Sequence, residues 1–252
     1  MDGDLVRAAH ADAWEAHGRF RRRFGGDAGR LPGARLMTAG LPYVQWSSGD
    51  VMDASAVDID AVRAWYRDRP LPTGASAPWG LRVPRAVAWP YGRHVLALRL
   101  MGLRPEAYVA APSPAGVRLR PAGPGDVDAV LAIDTVAFEA TDETQRPWVL
   151  RLLEQPGVTV CVAESAGEVV AAGLGLRTDG DAGPALYLAG IGVAPGARRR
   201  GIGAALSSWL IEHGLREGAG LAHLHPDTDE AARIYARLGF VETAGLDVYV
   251  DC

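Results

Sequence analysis

Residues 193–204 read VAPGARRRGIGA, and this stretch decides the fold class of the second half of the chain. Apolar residues before it predict a strand, while Leu206 and Leu210 after it follow helical spacing. A strand, a turn and a helix N-terminus together present unpaired backbone N–H groups and the positive end of the helix dipole. Gly201 and Gly203 allow a ligand to approach closely because they have no Cβ atom. The stretch therefore predicts a phosphate-binding loop.

Other kinds of phosphate site are excluded by the sequence. The dinucleotide fingerprint G-x-G-x-x-G, placed after the first strand of a βαβ unit, is absent. The chain has no lysine, so all 26 residues counted as Lys+Arg are arginine. A P-loop, a protein-kinase site and a pyridoxal-phosphate site each need a lysine. Backbone N–H groups and arginines are thus the expected phosphate ligands.

The segments around the loop predict a mixed α/β domain. Three apolar segments, 158–164, 169–177 and 185–193, precede the loop and predict strands covered on much of both faces. The remaining predictions are a strand at 117–120, helices opening at 124 and around 148–153, a strand at 221–225, a helix at 229–238 and a final strand pair ending at 250. The predicted order is βααβββαβαββ.

Two motifs in this half resemble those of a known family. Arg198-x-x-Gly201-x-Gly203 on a strand-to-helix turn resembles the coenzyme A signature of the GNAT family of acyltransferases. The segment DEAARIYARLGF at 229–240 is similar to that family's helix ending in tyrosine and Gly-Phe, and its Tyr235 lies 37 residues after Arg198. The resemblance covers about residues 117–252. It implies the GNAT fold, a central twisted mixed sheet flanked by helices and splayed between its fourth and fifth strands.

The resemblance also implies acetyl-CoA or coenzyme A as cofactor. The pantetheine arm is expected beside Ile191, Gly192 and Val193, where a backbone N–H polarises the thioester carbonyl. The guanidinium groups of the arginine run, Arg198, Arg199 and Arg200, are expected to add positive charge beside the pyrophosphate. The pyrophosphate is expected on the backbone N–H groups of six successive residues, Arg199, Arg200, Gly201, Ile202, Gly203 and Ala204.

Tyr235 and His223 are the candidate catalytic residues that the resemblance implies. Tyr235 is expected to protonate the departing thiolate as general acid; the alternative is a tyrosine that only packs on the sheet. The family's frequent strand-four glutamate is Tyr187 here, so the base is expected on strand five, 12 residues before the tyrosine, at His223. A structural strand histidine is the alternative interpretation. The family's frequent asparagine before the last helix is Thr228 here.

The acceptor site is expected at the loop after the first helix of this half, with Phe138, Glu139, Asp142 and Glu143. Residues 116–252 carry 11 arginines against 19 acidic residues, which suits a cationic amine. Solvated loop charges are the alternative. We therefore expect acyl transfer, with acetyl-CoA as donor, directly to an amine of a small molecule. The alternative function is a non-catalytic acyl-CoA-binding sensor or scaffold.

The first half carries neither motif. The linker composition of residues 112–116 predicts two domains, 1–112 and 117–252. Residues 79–84 are similar in pattern to residues 221–226, and residues 100–103 are similar to residues 237–240. This similarity predicts that the first half is a degenerate GNAT-like repeat that does not bind CoA. Further predictions are helices at 4–24, after Asp58 and at 94–101, with strands at 43–46 and 79–83.

Composition sets the remaining expectations. No apolar run approaches the length of a membrane span, and the acidic start does not resemble a signal peptide. Two cysteines, Cys161 and Cys252, are too few for a disulfide framework or a zinc site, so no metal is expected. A pI near 5.9 argues against nucleic acid as a partner. The expectation is a cytoplasmic monomer or homodimer without a membrane partner.

Overall fold

The structure is a computed structural model that describes residues 1–138 and 145–251. Two compact units emerge. The amino-terminal unit contains Asp2–Leu100, His225–Asp227 and the chain from Glu242 onward. The carboxy-terminal unit contains Met101–Leu224 and Thr228–Val241. Strand assignments and cores are therefore given for each unit separately.

The helices and strands follow the chain with short connections. Among the described residues, no helix combines the length and the apolar character that crossing a lipid bilayer requires. The elements up to the linker are α1 (Gly3–Phe20), β1 (Asp27–Leu31), β2 (Ala34–Thr38), β3 (Ser48–Val51), α2 (Ile59–Arg67), β4 (Gly80–Pro84) and β5 (Arg93–Leu103). Those after it are β6 (Val117–Pro121), α3 (Val127–Phe138), α4 (Gln145–Leu153), β7 (Val158–Ser165), β8 (Glu168–Gly180), β9 (Gly183–Val193), α5 (Ile202–Arg216), β10 (Leu221–Leu224), α6 (Asp229–Arg237) and β11 (Val241–Val250).

The amino-terminal unit orders its strands β1-β2-β3-β4-β11-β5. β11, the last strand of the chain, pairs antiparallel with β4, from Leu246 opposite Pro84 to Val250 opposite Gly80. The core of this unit is apolar and includes Leu36, which is fully buried. The unit is thus completed by residues that lie more than a hundred positions further along the chain.

Two predictions for the first half are wrong. Residues 94–101 form part of β5 rather than a helix, because Arg99 pairs with Glu242 of β11 at 2.6 Å and the Leu100 carbonyl accepts a bond from Thr243. Residues 44–46 form a 3₁₀ turn, and the strand begins only at Ser48. Residues 100–103 therefore lie in a strand, whereas residues 237–240, which are similar to them in sequence, lie at the end of a helix. The sequence similarity between these two segments does not correspond to equivalent structure. The predicted strands at 79–83 and 221–225 correspond to β4 and β10.

The carboxy-terminal unit confirms the predicted fold class, a mixed α/β sheet with helices on both faces. Its order is β5-β10-β9-β8-β7-β6, with β9 and β10 parallel and the other pairs antiparallel. Alternate residues of β7 enter two cores: Cys161 packs with α5, and Val160 packs with α3 and α4. The strands are apolar almost throughout because both of their faces are covered.

The sheet is splayed between β9 and β10, as expected. β10 pairs with β9 only from Leu221 opposite Ala185 to His223 opposite Tyr187. Beyond Tyr187, residues 188–193 of β9 have no strand beside them on that side in the described chain. The predicted final strand pair is wrong, since 241–250 form the single strand β11. The splay leaves an open strand edge that ends at the predicted phosphate-binding loop.

Candidate active site

The loop after β9 leads into α5 and leaves the N-terminus of that helix accessible to a ligand. Arg199 and Gly201 have positive φ values, 61° and 79°, which turn the chain sharply into α5. Gly201 is the N-cap of α5, and no side chain caps the helix there. Within the described chain, none of the backbone N–H groups from Arg199 to Ala204 donates a hydrogen bond to another backbone or side-chain group. These donors and the helix dipole converge on one place, as an anion requires.

The three arginines of the loop, Arg198 to Arg200, differ in their contacts. The Arg198 guanidinium donates through Nε to the Val193 carbonyl at 3.0 Å, so this side chain is tied to the end of β9. Arg199 and Arg200 are exposed and carry charge beside the helix N-terminus. Ile202, the first residue of α5, is buried and anchors the loop in the core. Sequence reasoning missed the specific role of Arg198.

The open edge of β9 carries a β-bulge. The register against β8 shifts between Ala172 and Leu174, and Gly190 sits in this region with a φ of 61°. A Cβ atom built at Gly190 meets no atom of the described residues within 4 Å. Gly192 packs against α3 so closely that a Cβ there would lie 2.8 Å from Ile133. Bulges of this kind re-aim a strand next to an active site.

Tyr235 lies near the end of α6 and is half-buried against the core. Its ring meets that of Phe240 edge-on at 5.8 Å. The α6 helix begins at Thr228, whose hydroxyl accepts the Ala231 N–H at 3.1 Å, so Thr228 serves as a helix cap. The helix ends at Gly239, where φ is 97° and a Cβ atom would collide with the Ala107 carbonyl. Both ends of the helix are therefore fixed.

His223 is fully buried in β10. Its ring stacks on Tyr187, directly opposite on β9, with the centroids 5.2 Å apart. Tyr187, which stands where the family often has a glutamate, and His223, the expected base, therefore contact each other. Complete burial is also what a structural histidine shows, so the role of base stays a prediction.

Asp134 on α3 is a further candidate that sequence reasoning missed. Burial raises the pKa of its carboxyl to about 6. Its neighbour Ile133 packs against Gly192 of β9. The sequence signal that could have identified Asp134 is its position as the only acidic residue in the mostly apolar stretch VLAIDTVAF at 130–138. A buried carboxyl with a raised pKa, on a helix that packs against the bulged strand, is a candidate functional group.

Of the predicted acceptor residues, Phe138 ends α3 and is 44% exposed. Glu139, Asp142 and Glu143 lie outside the described residues. The loop, the open edge of β9, His223 and Tyr235 all belong to the carboxy-terminal unit. Burial and unit membership are consistent with a single site, and the individual roles stay predictions.

The amino-terminal unit offers a contrast at its own strand-to-helix turn. Asp58 caps α2, and its carboxylate accepts the N–H groups of Asp60 and Ala61 at 3.0 and 3.1 Å. Asp53 in the same turn accepts the Ser55 N–H at 3.0 Å. Donors that would meet a phosphate are bonded to carboxylates here, and the negative charge repels an anion.

Comparisons with known proteins found relatives of this chain in sequence and in fold. A sequence model of the Acetyltransferase (GNAT) family matches residues 127–240. The chain is 30% identical to a mycothiol acetyltransferase of Streptomyces avermitilis, over 94% of this chain and 85% of the relative. It is 28% identical to one of Nocardia farcinica, over 95% of this chain and 77% of the relative. A solved GCN5-related N-acetyltransferase of Kribbella flavida has a TM-score of 0.70 at 20% identity, covering 100% of this chain and 96% of that one.

Proposed function

Because the chain belongs to the GNAT family of acetyltransferases, we propose that it transfers the acetyl group of acetyl-CoA directly to an amine of a small molecule. Family membership makes it an N-acetyltransferase that uses acetyl-CoA, and it disfavours the alternative of a non-catalytic sensor. The observation that carries the proposal is the run of backbone N–H groups from Arg199 to Ala204, which donate to no group among the described residues and lie next to the open edge of β9.

The residues around the loop fit coenzyme A. In the part of the chain that the structure describes, a Cβ atom built at Gly201 or Gly203 meets no atom nearer than 3.6 Å, so the surface of the helix N-terminus is open there. The N–H groups of 199–204 would hold the pyrophosphate, and exposed Arg199 and Arg200 would add charge. Ile191, Gly192 and Val193 would hold the pantetheine arm by strand addition at the splay. Bound acetyl-CoA supplies the acetyl group as a thioester.

Tyr235 is the proposed general acid. A phenol has a reference pKa of about 10 and therefore carries its proton at neutral pH. Tyr235 donates this proton to the leaving sulfur, which prevents a thiolate from building up as the bond to carbon breaks. Its helix is fixed at both ends by Thr228 and Gly239, and this supports a constant position of the hydroxyl.

The base has two candidates. His223 is the residue that the family pattern points to, and it lies opposite Tyr187 at the start of the splay. Asp134 has a carboxyl whose raised pKa, about 6, suits proton transfer near neutral pH. Either group would accept a proton from the ammonium of the acceptor, directly or through water. Both substitutions are therefore needed to assign the role.

The acid limb of the pH profile, which is the decrease of kcat/KM at low pH, distinguishes the two candidate bases. If Asp134 is the base, kcat/KM should fall as the pH drops through about 6, because the protonated carboxyl no longer accepts a proton. We expect the substitution that removes the true base, His223→Gln or Asp134→Asn, to lower kcat/KM at pH 7.5 about a hundredfold and to abolish that limb. The other variant retains the limb. His94→Gln, at an exposed histidine, is the control.

The acceptor is proposed to be a small-molecule amine. Two relatives are named mycothiol acetyltransferases, so the acceptor of those enzymes belongs in any panel of amines to be tested. The exposed Phe138 and the acidic residues Glu139, Asp142 and Glu143 are the proposed acceptor contacts. The test is release of free thiol from acetyl-CoA in the presence of each amine. Tight CoA binding without turnover on any amine or peptide would contradict the proposal.

Gly203→Ala tests the CoA site separately from folding. The added methyl meets only Val193, at an ordinary contact distance of 3.6 Å, and alanine favours helix over glycine. We expect an unchanged or higher Tm together with CoA binding weakened about tenfold or more, because the methyl occupies the space that the pyrophosphate needs. Calorimetric titration with CoA measures this. Unaltered affinity would place the pyrophosphate elsewhere.

For the first half we propose a degenerate GNAT-like domain over residues 1–112, beside a catalytic domain over 117–252. The capping of α2 by Asp58 supports the absence of CoA binding in the first domain. These limits differ from the compact units, since β11 belongs with the amino-terminal strands. Titration with CoA should therefore give one site per chain, and a second site would contradict the proposal.

A further inference from the structure

The segment between β5 and β6, residues 104–116, is called the strap, and it is bonded to the helix that begins at the loop. The Tyr108 hydroxyl donates to the Glu212 carboxylate at 3.0 Å and also forms a hydrogen bond with the Ser208 hydroxyl. The Ala111 N–H donates to the same Ser208 oxygen at 2.9 Å. Ser208 and Glu212 both lie on α5. The strap is thus attached to α5 along one helical turn.

The strap is also bonded to the helix that carries Tyr235. The Val109 N–H donates to the Leu238 carbonyl at 3.1 Å, at the C-terminal end of α6. The Ala107 carbonyl packs against Gly239, which leaves no space for a Cβ atom. Leu238 itself donates its N–H to the Tyr235 carbonyl at 2.9 Å. One short segment therefore connects α5 with the last turn of α6.

The far end of the strap reaches the loop. Pro114 Cγ lies 3.9 Å from the Cβ position of Gly201, the N-cap of α5. The side chains of Tyr108 and Ala111 pack against the core of the carboxy-terminal unit, so the strap is not a loose linker. Burial raises the pKa of Tyr108 to about 12, and its hydroxyl therefore keeps its proton at neutral pH.

We propose that the strap holds the phosphate-binding loop and Tyr235 in fixed relation, with Tyr108 as the positioning residue. The inference rests on the proposed function, because it concerns the site assigned to CoA and the general acid. Tyr108 acts through α5 and α6 and does not itself contact the reacting atoms. A small displacement between cofactor and acid is costly in rate, since catalysis depends on the alignment of the reacting groups.

Tyr108→Phe tests the strap because it removes the hydroxyl and retains the ring. We expect the Kd for CoA to rise about fivefold and kcat to fall by a similar factor, while the KM of the amine is unchanged. Ser208→Ala, a smaller change, should give the same pattern. The double variant should lose no more than the larger single effect, since both substitutions break one hydrogen-bonded cluster. Tyr43→Phe, at an exposed tyrosine, is the control.

Kinetics and CoA titration are run well below the Tm of each variant. A lower Tm with unchanged Kd and kcat in both variants would overturn the inference and make the strap purely structural. Wild-type protein that binds CoA and turns over, beside such variants, would leave the proposed function intact. Wild-type protein that fails to bind CoA would overturn both, so the two failures are distinguishable.

Discussion

Tyr235→Phe is expected to lower kcat about a hundredfold at neutral pH, while the Kd for CoA changes less than about twofold. The phenylalanine retains the packing of the ring against Phe240 and removes the hydroxyl that we propose as the general acid. Thiol release at saturating acetyl-CoA and amine measures kcat, and calorimetric titration measures the Kd. The separation arises because a general acid acts only as the bond to the leaving group breaks.

Tyr43→Phe is the matched control for this experiment as well, since it removes an exposed phenol hydroxyl. A Tyr235→Phe variant with wild-type kcat would show that solvent protonates the leaving thiolate. A variant with weakened CoA binding and unchanged kcat would instead assign the hydroxyl to cofactor binding.

Asp50→Ala is expected to destabilise the protein by about 3–5 kcal/mol, the usual cost of leaving one buried charge without its partner. Asp50 on β3 lies opposite Arg82 on β4, and two hydrogen bonds of 2.9 and 2.8 Å join the carboxylate and the guanidinium. Both side chains are at most 3% exposed. The guanidinium also lies over the Trp14 ring at 4.5 Å, so it cannot turn toward solvent without losing that contact.

Urea denaturation of Asp50→Ala measures this loss. Asp60→Ala is the control, because Asp60 also pairs with an arginine, Arg63, but is 84% exposed. Water and salt already screen that pair, so we expect little change in the free energy of unfolding. Equal losses in the two variants would mean that burial does not decide the strength of these ion pairs.

The loop before α5 and the two ends of α6 were largely predictable because their signals are local. The VAPGARRRGIGA stretch specifies a turn with positive φ at Gly201 and an uncapped helix through neighbouring residues alone. The same holds for α6, where Thr228 and Gly239 mark the two ends. By contrast, the orientation of Arg198 toward the Val193 carbonyl depends on how the loop returns to its strand, and no residue pattern indicates it.

The sequence by itself determined the family, the mixed α/β class and the position of the glycine-rich loop before α5, because each is read from short motifs and from the order of the predicted elements along the chain. Tertiary structure decided the rest. Residues 93–103 became a strand because β11 and β10 offer their backbone groups to it, although the two partners lie far along the chain. Burial of His223 and the raised pKa of Asp134 likewise come from packing by other elements. Long-range pairing and desolvation depend on neighbours in space, which a pattern along the chain does not record.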